Sequence, residues 1–147
     1  LKSLLRHIFS CPAYRFTWND YFLPTTLQLS PLVELLVEPL KYVDNIREIE
    51  LGLHEALVNA VIHGNASDPS KSIRVRRIFT PNWYIWQIQD EGNGLPIEGR
   101  DHSLPVDLKN ENGRGLFLIH HCFDDVRWSY KGNRLQLALR KNKFTND

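Results

Sequence analysis

Charge of either sign has almost no excess in this 147-residue sequence, where 18 Lys and Arg stand against 17 Asp and Glu for a formal net charge of +1. Nothing global therefore draws the chain to nucleic acid or to an anionic membrane surface. Cysteine is scarce. Cys11 and Cys122 are too far apart for zinc or redox spacing and read as buried or incidental thiols in a reducing compartment. No apolar run approaches the roughly 20 residues that span a bilayer. The stretch Leu1 to Phe9 is faintly like a signal peptide, but Arg6 and His7 break its apolar part. The first residue is leucine, so the beginning reads as trimmed or as an alternative start. No repeat, linker or second domain is visible. What remains is a soluble cytoplasmic protein with one compact core, consistent with 42% hydrophobic residues.

What is present centres on Leu53 to Gly64. Leu53, Leu57, Val58, Val61 and Ile62 recur at helical spacing, the pattern of a helix buried along one stripe. Glu55, Asn59 and His63 are each four apart and project from neighbouring turns of one face. Gly64 followed by Asn65 is a stop signal, with glycine expected in the left-handed conformation that closes a helix. Two readings of that polar row are open. It is a polar seam at the edge of a core, or a site that holds a metal ion and steers a proton.

Along the rest of the chain, Lys2 to Phe9 predicts a short helix, and residues 1–24 as a whole read as an aromatic-rich extension of uncertain structure. Thr25 to Leu29 alternates like a strand. Ser30 followed by Pro31 supplies an N-cap and a first-turn proline for a helix that Pro39 bends or ends. Ser72 to Thr80 and Trp83 to Asp90 predict a hairpin across Pro81 and Asn82, with Arg74 and Arg76 on a solvated face. A long aperiodic segment, residues 95–112, precedes a helix after Gly113 and Gly115, and such segments are usually functional. Asp125 to Tyr130 and Arg134 to Arg140 predict a closing hairpin.

Three signals then stand in order: Glu55-x3-Asn59 on a helix, Asp90-x-Gly92-x-Gly94 after a strand, and Gly113-x-Gly115 opening a helix. Taken singly, the second is also readable as a simple turn and the third as a loop hinge. Together they resemble the Bergerat-fold ATPases, which include gyrase, heat-shock ninety chaperones, mismatch-repair ATPases and sensor histidine kinases. Within that group the sequence is most similar to the anti-sigma-factor serine kinases, through Asn59-Ala-Val-Ile-His63-Gly64, Asp90 to Gly94 and Gly113 to Ile119. The resemblance covers roughly residues 25 to 141.

That resemblance implies an α/β two-layer sandwich with three main helices on one face of a mixed, mostly antiparallel sheet. Residues 25–147 would form an ATP-binding kinase domain. By the same resemblance Asn59 is the magnesium residue, Glu55 the catalytic base, and Asp90 the acceptor for the adenine amino group. Gly92 and Gly94 would lie against base and ribose, and Gly113 and Gly115 against phosphate. Arg114 either adds a charge there or points to solvent. Residues 95–112 would be a lid, and His63 a structural ring at the helix end. The physical chemistry agrees: magnesium prefers oxygen ligands, a carboxylate can take a proton from an attacking hydroxyl, and a glycine-lined helix start suits an anion. The implied activity is ATP- and magnesium-dependent phosphorylation of a serine or threonine on an anti-sigma-factor antagonist of the STAS type. A sigma factor and a second copy of the chain are implied further partners. The alternative is a nucleotide-dependent binding switch that transfers no phosphate. One departure is that Glu111 or Asn112 stands where sporulation-type members carry an arginine that touches the partner. No helix carrying a phospho-accepting histidine of the sensor type is recognisable.

Overall fold

The computed structural model describes residues 5–11, 16–40, 43–100 and 111–141. Their strands are β1 (Leu5–Cys11), β2 (Phe16–Pro24), β3 (Ser72–Phe79), β4 (Trp83–Gln89), β5 (Asp125–Trp128) and β6 (Arg134–Arg140). They form one six-stranded sheet in the order β1-β2-β3-β4-β6-β5, and each described pairing is antiparallel. The helices are α1 (Ser30–Val37), α2 (Ile46–Asn59) and α3 (Glu111–Cys122). The expected two-layer architecture is present, and the "mostly antiparallel" sheet is antiparallel throughout its described pairs.

Period-two burial along the strands explains where the helices sit. Ile73 and Val75 of β3, Trp86 and Ile88 of β4, and Leu135, Leu137 and Leu139 of β6 are buried on one sheet face. Trp86 is fully buried, and its indole N–H donates to the Leu36 carbonyl of α1 at 3.2 Å. That bond lets a large apolar ring enter the core without orphaning its polar atom. Phe123, just past α3, meets the same indole edge-on with ring centroids 5.9 Å apart. Between them α2 contributes Ile49, Leu53, Ala56 and Leu57 to the core.

Several sequence expectations need correction. Leu5 to Cys11 is a strand rather than part of a helix: it pairs with β2 from Leu5↔Phe22 to Cys11↔Phe16. A short apolar run does not distinguish the two states, and here pairing with an aromatic-rich neighbour decides. Residues 2–4 lie outside the described residues. The sheet thus begins before residue 25. Thr25 to Leu29 is not a strand, because β2 has already reached the end of β3 at the pair Pro24↔Ser72. Leu27 is accordingly 60% exposed. Leu29, not Ser30, holds the cap position of α1, with no side-chain capping bond, although Pro31 lies in the first turn as expected. Helix α1 gives way at Glu38 to a tight turn through Leu40, in agreement with the proline at 39.

The arginines of β3 are not a simple solvated face either. Arg74 and Arg76 both fork onto the buried Asp20 of β2, with the closest contacts at 3.0 and 2.9 Å. Burial pushes the Asp20 carboxyl up, but bonds from Arg76 and Arg74 outweigh it and hold the group below its ordinary value. Arg77 follows the inward register and donates to the Leu35 carbonyl.

Helix α2 approaches the end of α3 through Gly52. A Cβ there would stand 2.7 Å from Phe123 Cε2 and 2.9 Å from Cys122 Cβ. Gly52→Leu should therefore lower unfolding free energy by about 1–3 kcal/mol through overpacking, read by urea denaturation. A stability equal to wild type would mean that the helices do not meet there.

Candidate functional site

The polar row on α2 ends at a second close approach. Glu55 and Asn59 lie one turn apart, and the first turns of α3 cross in front of them. A Cβ on Gly115 would stand 3.2 Å from Glu55 Oε2 and 3.9 Å from both side-chain polar atoms of Asn59. Helix α3 begins at Glu111, ahead of the glycine pair rather than after it, so Gly113 lies in its first turn, where N–H groups are free and favour anions, while Gly115 is the fifth residue and keeps the α3 backbone close to Glu55 and Asn59.

Helix α2 does not stop at a left-handed glycine as expected. It widens into a π turn, Ala60–Gly64, and the left-handed residues are Ala66 (φ 54°) and Ser67 (φ 56°). Gly64 has a different reason to lack a side chain: a Cβ would collide with the Asp90 carboxylate. Gly92 is constrained likewise by the Gly64 carbonyl, and its N–H donates to Asp90 Oδ1 at 2.8 Å. The carboxylate is thus wedged between two glycines. Burial raises the Asp90 carboxyl above its ordinary value, against the opposing pull of the Gly92 N–H, Lys131 and Lys71.

These elements enclose a cavity of about 480 Å³, within the range of roughly 300–1,000 Å³ for small-molecule sites. Its apolar wall includes Ile88, Leu116, Trp128 and Leu135, and its polar atoms come from Asn59, His63 and Asp90. Of the expected site residues, Asn59, Asp90, Gly94 and Gly113 line it directly. Glu55 and Gly115 approach each other beside Asn59 and are not part of the lining, and Gly92 is buried next to Asp90. Arg114 is exposed on the first turn of α3, outside the lining. His63, expected to pack as scaffold, is instead exposed on the cavity rim. Of the expected lid, Leu95, Pro96 and Gly99 form one wall, while residues 101–110 lie outside the described residues.

Two residues were not anticipated. Asn65 is fully buried, and its amide donates to Thr25 Oγ1 and the Ser72 carbonyl, both at 3.0 Å. Its oxygen accepts from the Glu91 N–H at 2.8 Å. It ties the end of the π turn to β3 and to the residue after Asp90. Gly132, in the β5–β6 turn, lines the cavity with φ +82°. The only sequence signals were Gly64-Asn65 and Lys131-Gly132-Asn133, which read as punctuation.

A two-layer α+β domain with a cavity between a helix carboxamide, a helix start and a half-buried aspartate is the design of a nucleotide-handling ATPase domain. The comparison with protein families agrees: residues 38–141 match the family described as Histidine kinase-like ATPase domain, and the chain belongs to that family. Individual relatives are more distant. The chain is 29% identical over 92 residues to the serine-protein kinase RsbW of Bacillus licheniformis, covering 57% of each chain. It is 29% identical over 86 residues to the anti-sigma F factor of Geobacillus stearothermophilus, covering 56% of this chain and 59% of that one. With RsbW of Bacillus subtilis (strain 168) it shares 25% over 111 residues, 70% of this chain and 67% of the other. The matched part thus spans well under two thirds of the first two relatives.

Because the half-buried Asp90 carboxyl titrates above its ordinary value, it adds stability only while protonated, and that contribution is lost as pH rises through the folded-state value. Asp90→Asn should therefore raise the melting temperature of the ligand-free protein at pH 7, with the gain shrinking toward pH 4. A variant less stable than wild type at pH 7 would show that the carboxylate is not paying for its burial.

Proposed function

We propose that this protein is an ATP- and magnesium-dependent serine/threonine protein kinase that acts by partner switching. Its substrate in this reading is an anti-sigma-factor antagonist of the STAS type, and it also binds a sigma factor, as a homodimer in the cytoplasm. Support for the partners comes from relatives named serine-protein kinase and anti-sigma F factor. Among the described residues no helix is long and apolar enough to cross a membrane. The observation that carries the chemistry is the corner where Glu55 and Asn59 face Gly115 across the gap between α2 and α3.

The residues fit the groups that the fold family implies. Gly113, in the first turn of α3, lines the cavity together with Asn59, and with no side chain there phosphate oxygens can approach backbone N–H groups. Among the described residues no cluster of three or more His, Cys, Asp and Glu makes a ready metal cage. A cation here would lean on the Asn59 carboxamide oxygen and on phosphate oxygens, the manner in which magnesium is commonly held. When bound, magnesium supplies charge neutralisation at the phosphates.

The chain's own groups then divide the work. Asp90 accepts a hydrogen bond from the adenine amino group, and Gly92 and Gly94 let base and ribose approach backbone. Glu55 takes the proton of the acceptor hydroxyl as its oxygen bonds to the γ-phosphorus and the bond to the ADP oxygen breaks. Gly113 directs its N–H at the phosphates and Gly115 holds α3 close to Glu55 and Asn59, while Arg114, exposed and outside the lining, takes no part in this reading.

Glu55→Gln keeps the shape and removes the base. Phosphate transfer from labelled ATP to a candidate antagonist should fall by about 10²- to 10⁴-fold with ATP affinity nearly intact. Unchanged transfer would remove Glu55 from the base role. ATP binding without any transfer by the wild type would favour a nucleotide-dependent switch instead.

A further inference from the structure

Past Asp90 the chain interlocks with the β5–β6 turn in a way the kinase chemistry does not use. Gly94 (φ +89°) and Gly132 (φ +82°) are both left-handed, and each lies where a Cβ would collide with the other loop's backbone. A Cβ on Gly94 would meet the Lys131 carbonyl, and one on Gly132 the Leu95 carbonyl. Hydrogen bonds close the contact: Leu95 N–H donates to the Gly132 carbonyl at 2.9 Å, and Asp90 N–H to the Asn133 carbonyl at 3.0 Å. The Asn133 amide returns a bond to the Asp90 carbonyl at 3.3 Å. One side chain spans both loops. Arg100 Nε and Nη2 donate to the Leu95 carbonyl at 2.9 and 2.8 Å, and Nη2 also reaches the Tyr130 carbonyl at 3.1 Å.

We propose that Arg100 is a positioning residue for the nucleotide pocket, and that the β5–β6 turn is a working wall of that pocket. This rests on the nucleotide reading above and deepens it. Gly94, Leu95 and Gly132 all line the cavity, and Asp90 anchors the start of the same loop. Both bonds from the guanidinium to one carbonyl fix the orientation of the peptide after Leu95, and the third ties it to the turn. A planar fork does this and a lysine ammonium does it only in part, because a point charge cannot reproduce the paired geometry. Without the guanidinium the two glycine-bearing loops keep their backbone bonds and the longer Asn133 bond beside Asp90, and the peptide after Leu95 loses its only side-chain tie to the turn among the described bonds.

Calorimetric titration of ATP with magnesium into the wild type, Arg100→Gln and Arg100→Lys, together with amide hydrogen exchange, tests the inference. Arg100→Gln should weaken affinity about tenfold, with Arg100→Lys recovering part of the loss. Exchange protection of the Leu95 amide should fall in Arg100→Gln while the amides of β3 and β4 keep theirs. Equal affinity in wild type and Arg100→Gln overturns the inference and leaves the nucleotide reading standing. Protection lost equally across the sheet also overturns it, since the role would then be general stability. Absence of binding by the wild type overturns the nucleotide reading and this inference with it.

Discussion

Helices α2 and α3 meet at two glycines, one from each. Gly52 of α2 admits Cys122 and Phe123 at one end of the contact, and Gly115 of α3 admits Glu55 and Asn59 at the other. A packed interior has little room to absorb an added methyl group, so the two positions fix how closely and at what height the helices run. The candidate site inherits that geometry. Glu55 and Asn59 face the glycine-bearing turns of α3 rather than bulk water because α3 can come this near.

The second wall is held by a different means. Asp90 sits where burial disfavours its charge, and Gly64, Gly92 and Asn65 surround it with backbone and amide contacts. Keeping a carboxylate in such a place costs stability, and functional sites are where such costs are commonly tolerated. The Asp20 carboxylate shows the contrasting case: two arginines compensate it fully, and it serves the β2–β3 pairing.

Much of this was legible in the sequence, for reasons that differ by element. Helix α2 announced itself because one stripe of apolar residues and one polar row kept the same period, and both survive in the folded chain. The β3–β4 and β5–β6 hairpins were readable from alternation and turn residues. The edge strand β1 was not, since seven residues carry too little periodicity and their state depends on pairing with β2. Gly64 is a special position, as its place after the helix suggests, but its constraint is Asp90, remote in sequence, and not its own φ. Asn65, Arg100 and Gly132 were missed for a related reason. Their roles consist of bonds and contacts to segments up to 40 residues away, as in the Asn65–Thr25 bond, and local pattern does not encode those.

In the proposed function Asn59, beside Glu55 and Gly115, holds the metal that bridges to the phosphates. The most direct test of this role is calorimetric titration of ATP, with and without magnesium, into the wild type and Asn59→Ala. Magnesium should strengthen ATP binding by the wild type, and Asn59→Ala should lose that gain, at least about tenfold in affinity. An Asn59→Ala protein whose magnesium dependence matches the wild type would contradict that role.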